Sequence, residues 1–423
     1  MKILAVTNLY PPNFLGGYEL GCAQMTRLLG ERGHEVRVVT STGQAPSTEQ
    51  QEQVDRVLEL SPIYNAARAT SASPVLAEYF HLLSSTVNPV NVHLLSDIIS
   101  RSEPDVVYLW NVLGLGGLGI LELLRRADVP WVWHLMDCVP RSLCHFGGAS
   151  IARVSGQARA FDRGRYLACS SRVVQETEAE GLSLGDRVEI IPNWVADPPP
   201  MQRSRWFAGG QLRIVCAVGS LGSHKGTDIL IETAANLRER GYANFTIDIF
   251  GREPDAAMRT LVHRLDLAGT VRLMGSIDQQ ALLPLYDGYD LFAFPTWARE
   301  PSAFAPIEAA AFGCVPLVSD DCGNSEWLVD GVHCLKAERS VEGFASRIVE
   351  VLDREIRLEE IGDRVQRVIR SDFGIHAVVP RVEAALASAA AEATERRDIN
   401  ADFHGVVRLA EGLLPTLLAE ASF

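Results

Sequence analysis

The chain has 423 residues, 47% of them apolar and 22% charged, with a formal net charge of −14 at pH 7. That length exceeds one ordinary hydrophobic core, so two globular domains are expected. The acidic balance excludes a nucleic-acid groove built on clustered Lys and Arg and gives no general attraction to an anionic membrane, while leaving room for a local peripheral contact.

The opening run MKILAVTNLYPP carries one Lys and a short apolar stretch, which reads as a first strand, Ile3–Thr7, and not as a signal peptide. It leads through Pro11 and Pro12 to Gly16-Gly17-Tyr18-Glu19 at the start of a helix over roughly Tyr18–Arg32. A glycine pair there is either an ordinary turn or a place where backbone meets an anionic ligand. A strand at Val36–Thr40 follows. Residues 44–100 are longer than one crossover needs, polar at first and then helical in pattern at Val75–Leu83 and Val90–Ile99, and read as an insertion. The apolar run Val106–Leu124 contains Asn111, several glycines and Glu122, so it reads as strand, Gly-rich loop and helix and not as a membrane span. Strands at Trp131–His134, Tyr166–Cys169 and Val188–Ile191 complete the first series, with helices over roughly Leu118–Ala127 and Arg172–Glu180. Strands alternating with helices predict a parallel sheet covered on both faces.

The best boundary is Pro192–Pro200, where three consecutive prolines impose an extended path. A second alternating series follows: strands at Ile214–Val218, Phe245–Phe250, Val271–Met274, Leu291–Phe294, Val315–Val318 and His333–Leu335, with helices at Thr227–Arg240, Asp255–Leu265 and Asp278–Tyr286. From Val341 the pattern is helical, including Ala377–Arg396 and an amphipathic tail, Phe403–Leu418. The expected organisation is a doubly wound α/β domain over 1–195, a linker over 196–212, a second such domain over 213–375, and helices over 376–423 that pack back on the body. Eight cysteines with no C-x-x-C pair fit a reducing cytoplasm and give no zinc spacing; no metal and no cofactor are expected.

Four places carry chemistry. His134 ends a parallel strand, where open α/β sheets bind ligands, or is a structural histidine bonded to backbone. Gly219-Ser220-Leu221-Gly222-Ser223-His224-Lys225-Gly226 is a flexible loop whose single Lys either clamps a diphosphate or lies solvated at a helix start. Arg252, at the end of another strand, either reaches phosphate or base or forms a surface ion pair. The stretch EPSAFAPIEAAAFGCVPLVSD, Glu300 to Asp320, sets Glu300 in a loop and Glu308 one turn into a short helix with Pro306 in its first turn. Backbone N–H groups near Phe304 and Ala305 are then free to dock a phosphate between two carboxylates able to hold hydroxyls. A sugar nucleotide combines those groups. The loop Asp137–Gly148 lies at the same end as His134, and no G-x-G-x-x-G follows a strand to suggest a nicotinamide cofactor.

Together, Gly16-Gly17-x-Glu19, PDVVYLW (Pro104–Trp110), His134, IIPNWV (Ile190–Val195), Gly219–Gly226 and Glu300-x7-Glu308 resemble the family 4 retaining glycosyltransferases over about residues 1–390. The resemblance implies the GT-B fold, two Rossmann-like domains facing a central cleft, and transfer from a nucleoside diphosphate sugar, with UDP favoured over GDP or dTDP, to a hydroxyl of a small molecule, glycan or lipid. By position it implies that Glu308 holds the ribose, Glu300 and His134 face the transferred sugar, and Lys225 neutralises the leaving diphosphate. Backbone at Phe304, Ala305, Gly16 and Gly17 would contact the donor, and backbone near Ile277 the base. Two departures stand out: Ser220 replaces the usual Arg, and Pro301-Ser302-Ala303 replaces a Gly-rich loop. A sugar-nucleotide 2-epimerase and a non-catalytic sugar-nucleotide-binding subunit are the rival readings.

Overall fold

The computed structural model describes residues 1–42, 53–60, 87–146, 149–150, 161, 163–196, 203, 206–252 and 256–392. They divide into two compact units. The first comprises Met1–Cys169, Val173–Ile191 and the chain from Val379 onward; the second comprises Ser170–Arg172 and Pro192–Val378.

In the first unit, β1 (Lys2–Val6), β2 (Glu35–Ser41), β3 (Gln53–Leu58), β4 (Val106–Leu109), β5 (Trp131–Leu135), β8 (Arg165–Ala168) and β9 (Val188–Ile190) form one sheet in the order β3-β2-β1-β4-β5-β8-β9. All its pairings are parallel. The short strands β6 (His145–Phe146) and β7 (Ala149–Ser150) pair antiparallel as a separate two-stranded sheet. β4 and β5 are buried along their whole length, as near-continuous apolar runs in a two-sided parallel sheet require. Helices Pro89–Ser102 and Gly117–Arg126 bury Leu95, Ile99, Leu121 and Leu124 in the same core as Leu4, Val107 and Trp133.

β3 corrects the reading of 44–100 as an insertion without a strand. Its charges resemble a polar loop but are engaged: Arg37 of β2 pairs with Asp55, and Arg56 donates to the carbonyls of Tyr10 and Pro11. Charged side chains suit an edge strand. Val90–Ile99 lies within the helix Pro89–Ser102, capped by Asn88, whose side chain accepts from the N–H groups of Val90 and Asn91. Val75–Leu83 lies outside the described residues.

The second unit carries β10 (Leu212–Ser220), β11 (Phe245–Arg252), β12 (Val271–Gly275), β13 (Leu291–Phe294), β14 (Val315–Ser319) and β15 (Leu335–Ala337), all parallel, in the order β12-β11-β10-β13-β14-β15. The expected helix Asp278–Tyr286 is instead one α-turn, Gln279–Leu282, continued as a 3₁₀ segment, Leu283–Gly288, because Pro284 cannot continue an α-helical ladder. The last strand lies two residues later than the run His333–Leu335. Within the stretch expected as a linker, Arg203 is buried against Asp290, donates to the Tyr289 carbonyl, and lies 4.7 Å over the Trp206 ring.

Helices Val341–Leu352, Leu358–Asp372 and Ile375–Ala391 end the described chain. Within the first unit, Glu383 binds Arg32 at 2.6 Å and His34 at 2.7 Å, and Arg381 binds Glu189 at 3.0 Å. Residues 393–396 of the expected final helix and the tail Phe403–Leu418 lie outside the described residues. Each sheet reverses its strand order at one place, between β1 and β4 and between β10 and β13. Such reversals open the crevice in which doubly wound sheets bind ligands.

Candidate functional site

Two loops meet at the β10/β13 reversal. The first, Leu221–Gly226, contains a single 3₁₀ turn, Ser223–Lys225, closed by Gly226 at φ +70°. A Cβ at Gly226 would stand 1.9 Å from the Pro295 carbonyl oxygen of the second loop, so only glycine allows this approach. The His224 carbonyl accepts from the Trp297 N–H at 3.0 Å, and the Thr296 hydroxyl oxygen lies 3.5 Å from it. These contacts set Lys225 opposite Glu300. The ammonium pairs with Oε2 of the buried Glu300 carboxylate, and Thr296 Oγ1 donates to the same oxygen at 3.2 Å. Lys225 Nζ also lies 5.9 Å from the Phe294 ring centroid.

The helix Phe304–Ala311 starts just beyond. Its N-cap is Ala303, which has no side chain to cap with, and the N–H groups of Phe304 and Ala305 donate to nothing among the described residues. Its entry is fixed from two sides: Asn324 accepts from the Ala303 N–H at 2.8 Å and donates to the Ala303 carbonyl at 2.8 Å, while Asn193 donates to the Ser302 carbonyl at 2.6 Å. The result is a positively polarised helix end with unspent donors. One turn on, Glu308 is buried and accepts from the Gln279 side chain. Burial pushes its pKa up to about 7, against the lowering effect of that single hydrogen bond. The Tyr286 hydroxyl, also buried, has no hydrogen-bond partner among the described residues and lies close enough for the Glu308 charge to raise its pKa further. Ile277, two residues before Gln279, is half-buried and packs with the cluster that holds Tyr286 and Ala305.

Arg252 ends β11 directly beside Ser220, its register partner on β10. Its exposed guanidinium reaches back over β10, with Nε donating to the Gly219 carbonyl at 3.0 Å. Ser220, Lys225, Arg252, Ile277, Glu300, Phe304, Ala305 and Glu308 therefore all lie at the carboxyl ends of the strands of one sheet.

In the first unit, Gly16 and Gly17 are exposed at the start of the helix Gly17–Glu31, and a Cβ at Gly16 would meet nothing within 4 Å. The buried Glu19 carboxylate explains the spacing of this motif, since it accepts from the N–H groups of Leu15 at 3.2 Å and Gly16 at 3.0 Å. Tyr18 donates to the His134 carbonyl at 2.5 Å. His134, expected to face the transferred sugar, lies near the end of β5. Its ring is fully buried, stacked on Trp110 with centroids 4.5 Å apart, and its Nδ1 lies 2.7 Å from the Tyr108 hydroxyl. Burial holds its pKa down at about 3, so it is neutral at physiological pH. Tyr108 and Trp110 come from β4 and its end, and their cover over His134 follows from the pairing of β4 with β5, which no local spacing reveals.

Residues 201–368 match the family of glycosyl transferases group 1, and residues 15–197 match glycosyltransferase family 4. This chain belongs to the family 4 glycosyltransferases. Every candidate residue named above falls inside one of the two matched regions. An uncharacterized glycosyltransferase of Methanocaldococcus jannaschii is 23% identical over 356 residues, 77% of this chain and 82% of that one. Among solved structures, sucrose-phosphate synthase from Thermosynechococcus elongatus superimposes with a TM-score of 0.69 at 14% identity, covering 92% of this chain and 99% of that one. HepE of Anabaena, in complex with UDP and glucose, gives 0.64 at 18% identity, covering 92% and 100%. These likenesses show the GT-B fold for the glycosyltransferase.

Sequence reasoning missed Thr296, Gln279, Asn193 and Asn324 as site residues. Asn193 sits in the quoted IIPNWV run, and Gln279 two residues after Ile277, so both had a positional signal. Thr296 and Asn324 had none. Among the described residues no group of His, Cys, Asp and Glu is placed to hold a metal ion, and no helix is long and apolar enough to cross a membrane.

Proposed function

We propose that this enzyme is a retaining transferase that moves a sugar from a nucleoside diphosphate sugar, a UDP-sugar in the first instance, to an acceptor hydroxyl on a small molecule, glycan or lipid. The supporting observation is the meeting of Lys225, Glu300, the open helix end at Phe304–Ala305 and Glu308 at one sheet reversal. A diphosphate flanked by two sets of hydroxyls needs those groups. Glu308 takes the ribose hydroxyls, backbone near Ile277 the base, and the Phe304 and Ala305 N–H groups the phosphates, with Arg252 beside them. Glu300 orients the sugar. His134, neutral and covered by Trp110 and Tyr108, serves as a fixed support and not as an acid.

The bond from the anomeric carbon to the diphosphate breaks as the acceptor oxygen approaches on the same face, through an oxocarbenium-like state. The acceptor proton passes to the departing phosphate oxygen. No enzyme carboxylate acts as nucleophile, which separates this pair from the paired acids of glycosidases. Rate comes from positioning and from charge stabilisation by Lys225 and the helix end.

The test begins with a thermal-shift panel of UDP-, GDP- and dTDP-sugars. A UDP-sugar raises Tm and Glu308→Ala removes that rise; indifference of the native enzyme to all three sinks the donor site. NMR of the product from donor plus acceptor shows the donor's anomeric configuration, with activity kept in chelator. An inverted product, loss of activity in chelator, donor turnover without acceptor, or binding without any product each overturns the scheme at an identifiable step.

Glu308 adds a pH signature. Ribose hydroxyls donate to the carboxylate and pull its pKa down from about 7, so donor binding at lower pH must expel a proton. Affinity therefore climbs by up to about tenfold per pH unit between roughly pH 5 and 7 and is flat above. Titration calorimetry in buffers of different ionisation enthalpy reads the released proton, and a flat profile from pH 5 to 8 (approximate bounds) would show that the nucleotide leaves Glu308 untouched. In the free protein the sign reverses. The folded state holds this proton more tightly than the usual 4.5 of an unfolded Glu, so its contribution to stability is full below that value and is lost as pH rises through about 7.

A further inference from the structure

Arg339 follows β15, far in sequence from both loops of the site, yet its guanidinium joins them. Nε donates to the Pro295 carbonyl at 3.1 Å and Nη2 donates to the Ser223 carbonyl. No carboxylate pairs with it among the described residues. The half-buried guanidinium is thus spent on two backbone oxygens, one on each side of the β10/β13 reversal. Ser223 opens the 3₁₀ turn that ends in Lys225, and its carbonyl already accepts from the Gly226 N–H at 3.1 Å. Pro295 is the residue against which Gly226 packs. The N-cap of the turn, Gly222, contributes no side-chain bond. Tertiary bonds must therefore fix where Lys225 points, and Arg339 supplies the only charged ones to this turn's backbone among the described residues.

We infer that Arg339 is a positioning residue for Lys225: it ties the two loops together so that the ammonium is held where the departing diphosphate develops its charge. The inference rests on the donor-site reading above. It does not require Arg339 to touch the ligand. A planar fork that bonds two carbonyls at once is a task for arginine, since a lysine ammonium on a single flexible stem reaches one of them at a time.

The experiment compares UDP with UMP by titration calorimetry and measures kcat in the native enzyme, Arg339→Ala, Arg339→Lys, Lys225→Ala and the double variant. The second phosphate of UDP is the probe for Lys225, and UMP is the internal control for correct folding of the nucleotide site. Arg339→Ala weakens UDP about tenfold with UMP affinity unchanged and lowers kcat by about tenfold or more, and Arg339→Lys recovers part of both. Added to Lys225→Ala, the Arg339→Ala change costs nothing more, as residues acting through one group must show. An Arg339→Ala enzyme with the native ratio of UDP to UMP affinity overturns the inference, and so does an additive double variant, which would place Arg339 on the diphosphate itself. If Arg339→Ala does not fold, Arg339→Lys decides by the same ratio. Native enzyme that binds neither UDP nor UMP overturns the donor-site reading together with this one, whereas native enzyme that discriminates between them separates the two.

Discussion

Lys225→Ala lowers kcat by about two to three orders of magnitude, the loss seen when one preorganised charge-stabilising donor is removed from an active site. The size follows from what surrounds the ammonium. Lys225 sits at the β10/β13 reversal and bonds the Glu300 carboxylate. In the ligand-free enzyme its charge is shared with Glu300, which is nearly buried and also accepts from Thr296. The variant leaves that carboxylate without its ion-pair partner, so Tm falls as well. Lys225→Ala combined with Glu300→Gln separates the effects: stability returns because no lone charge stays buried, while kcat does not. Steady-state kinetics and thermal unfolding on the two variants check this. Native kcat in Lys225→Ala would remove the lysine from the mechanism.

Gly323→Ala costs about 3 kcal/mol, the upper part of the range for overpacking, and lowers Tm by roughly 6–12 °C for a unit of this size. The added Cβ would stand 1.5 Å from the Pro301 carbonyl oxygen and 2.9 Å from that of Glu300. Backbone, not a pliable side chain, must give way. The Gly323 N–H also donates to the Glu300 carbonyl at 2.8 Å, and the next residue, Asn324, holds the entry of the helix Phe304–Ala311. Displacement here moves Glu300 and the open N–H groups of Phe304 and Ala305 together, so kcat falls with stability. Gly269→Ala, where an added Cβ meets nothing, is the matched control. Equal Tm values for the two variants would show that the Pro301 contact yields without cost.

Much of the fold was legible because a two-sided parallel sheet writes itself as short apolar runs. Val106–Leu109, Trp131–Leu135 and Leu291–Phe294 were readable within a residue or so. β3 was not, since an edge strand carries Asp55 and Arg56 for ion pairing and carbonyl bonding, which locally resemble a polar loop. The placement of Lys225 and Phe304 beyond strand ends was legible for a related reason: in each case strand, loop and helix are contiguous in sequence, so both residues carry their context with them. What surrounds them was not. Asn324 reaches Ala303, Asn193 reaches Ser302 and Arg339 reaches Ser223 across separations of 21, 109 and 116 residues, set by strand order and not by spacing. His134 shows the same limit, because its strand end was evident while the stack of Trp110 upon it depends on the pairing of β4 with β5.

The buried thiols give the molecule an internal clock. Cys22, Cys138 and Cys169 lie inside the first unit and Cys216, Cys314, Cys322 and Cys334 inside the second, all shut away from solvent. Burial also raises the pKa of Cys216, Cys322 and Cys334 to about 12, and of Cys314 further still, which removes the reactive thiolate. An alkylating reagent can therefore reach them only when the surrounding structure opens, so the order in which these positions acquire label reports which half of the polypeptide unfolds first and how fast.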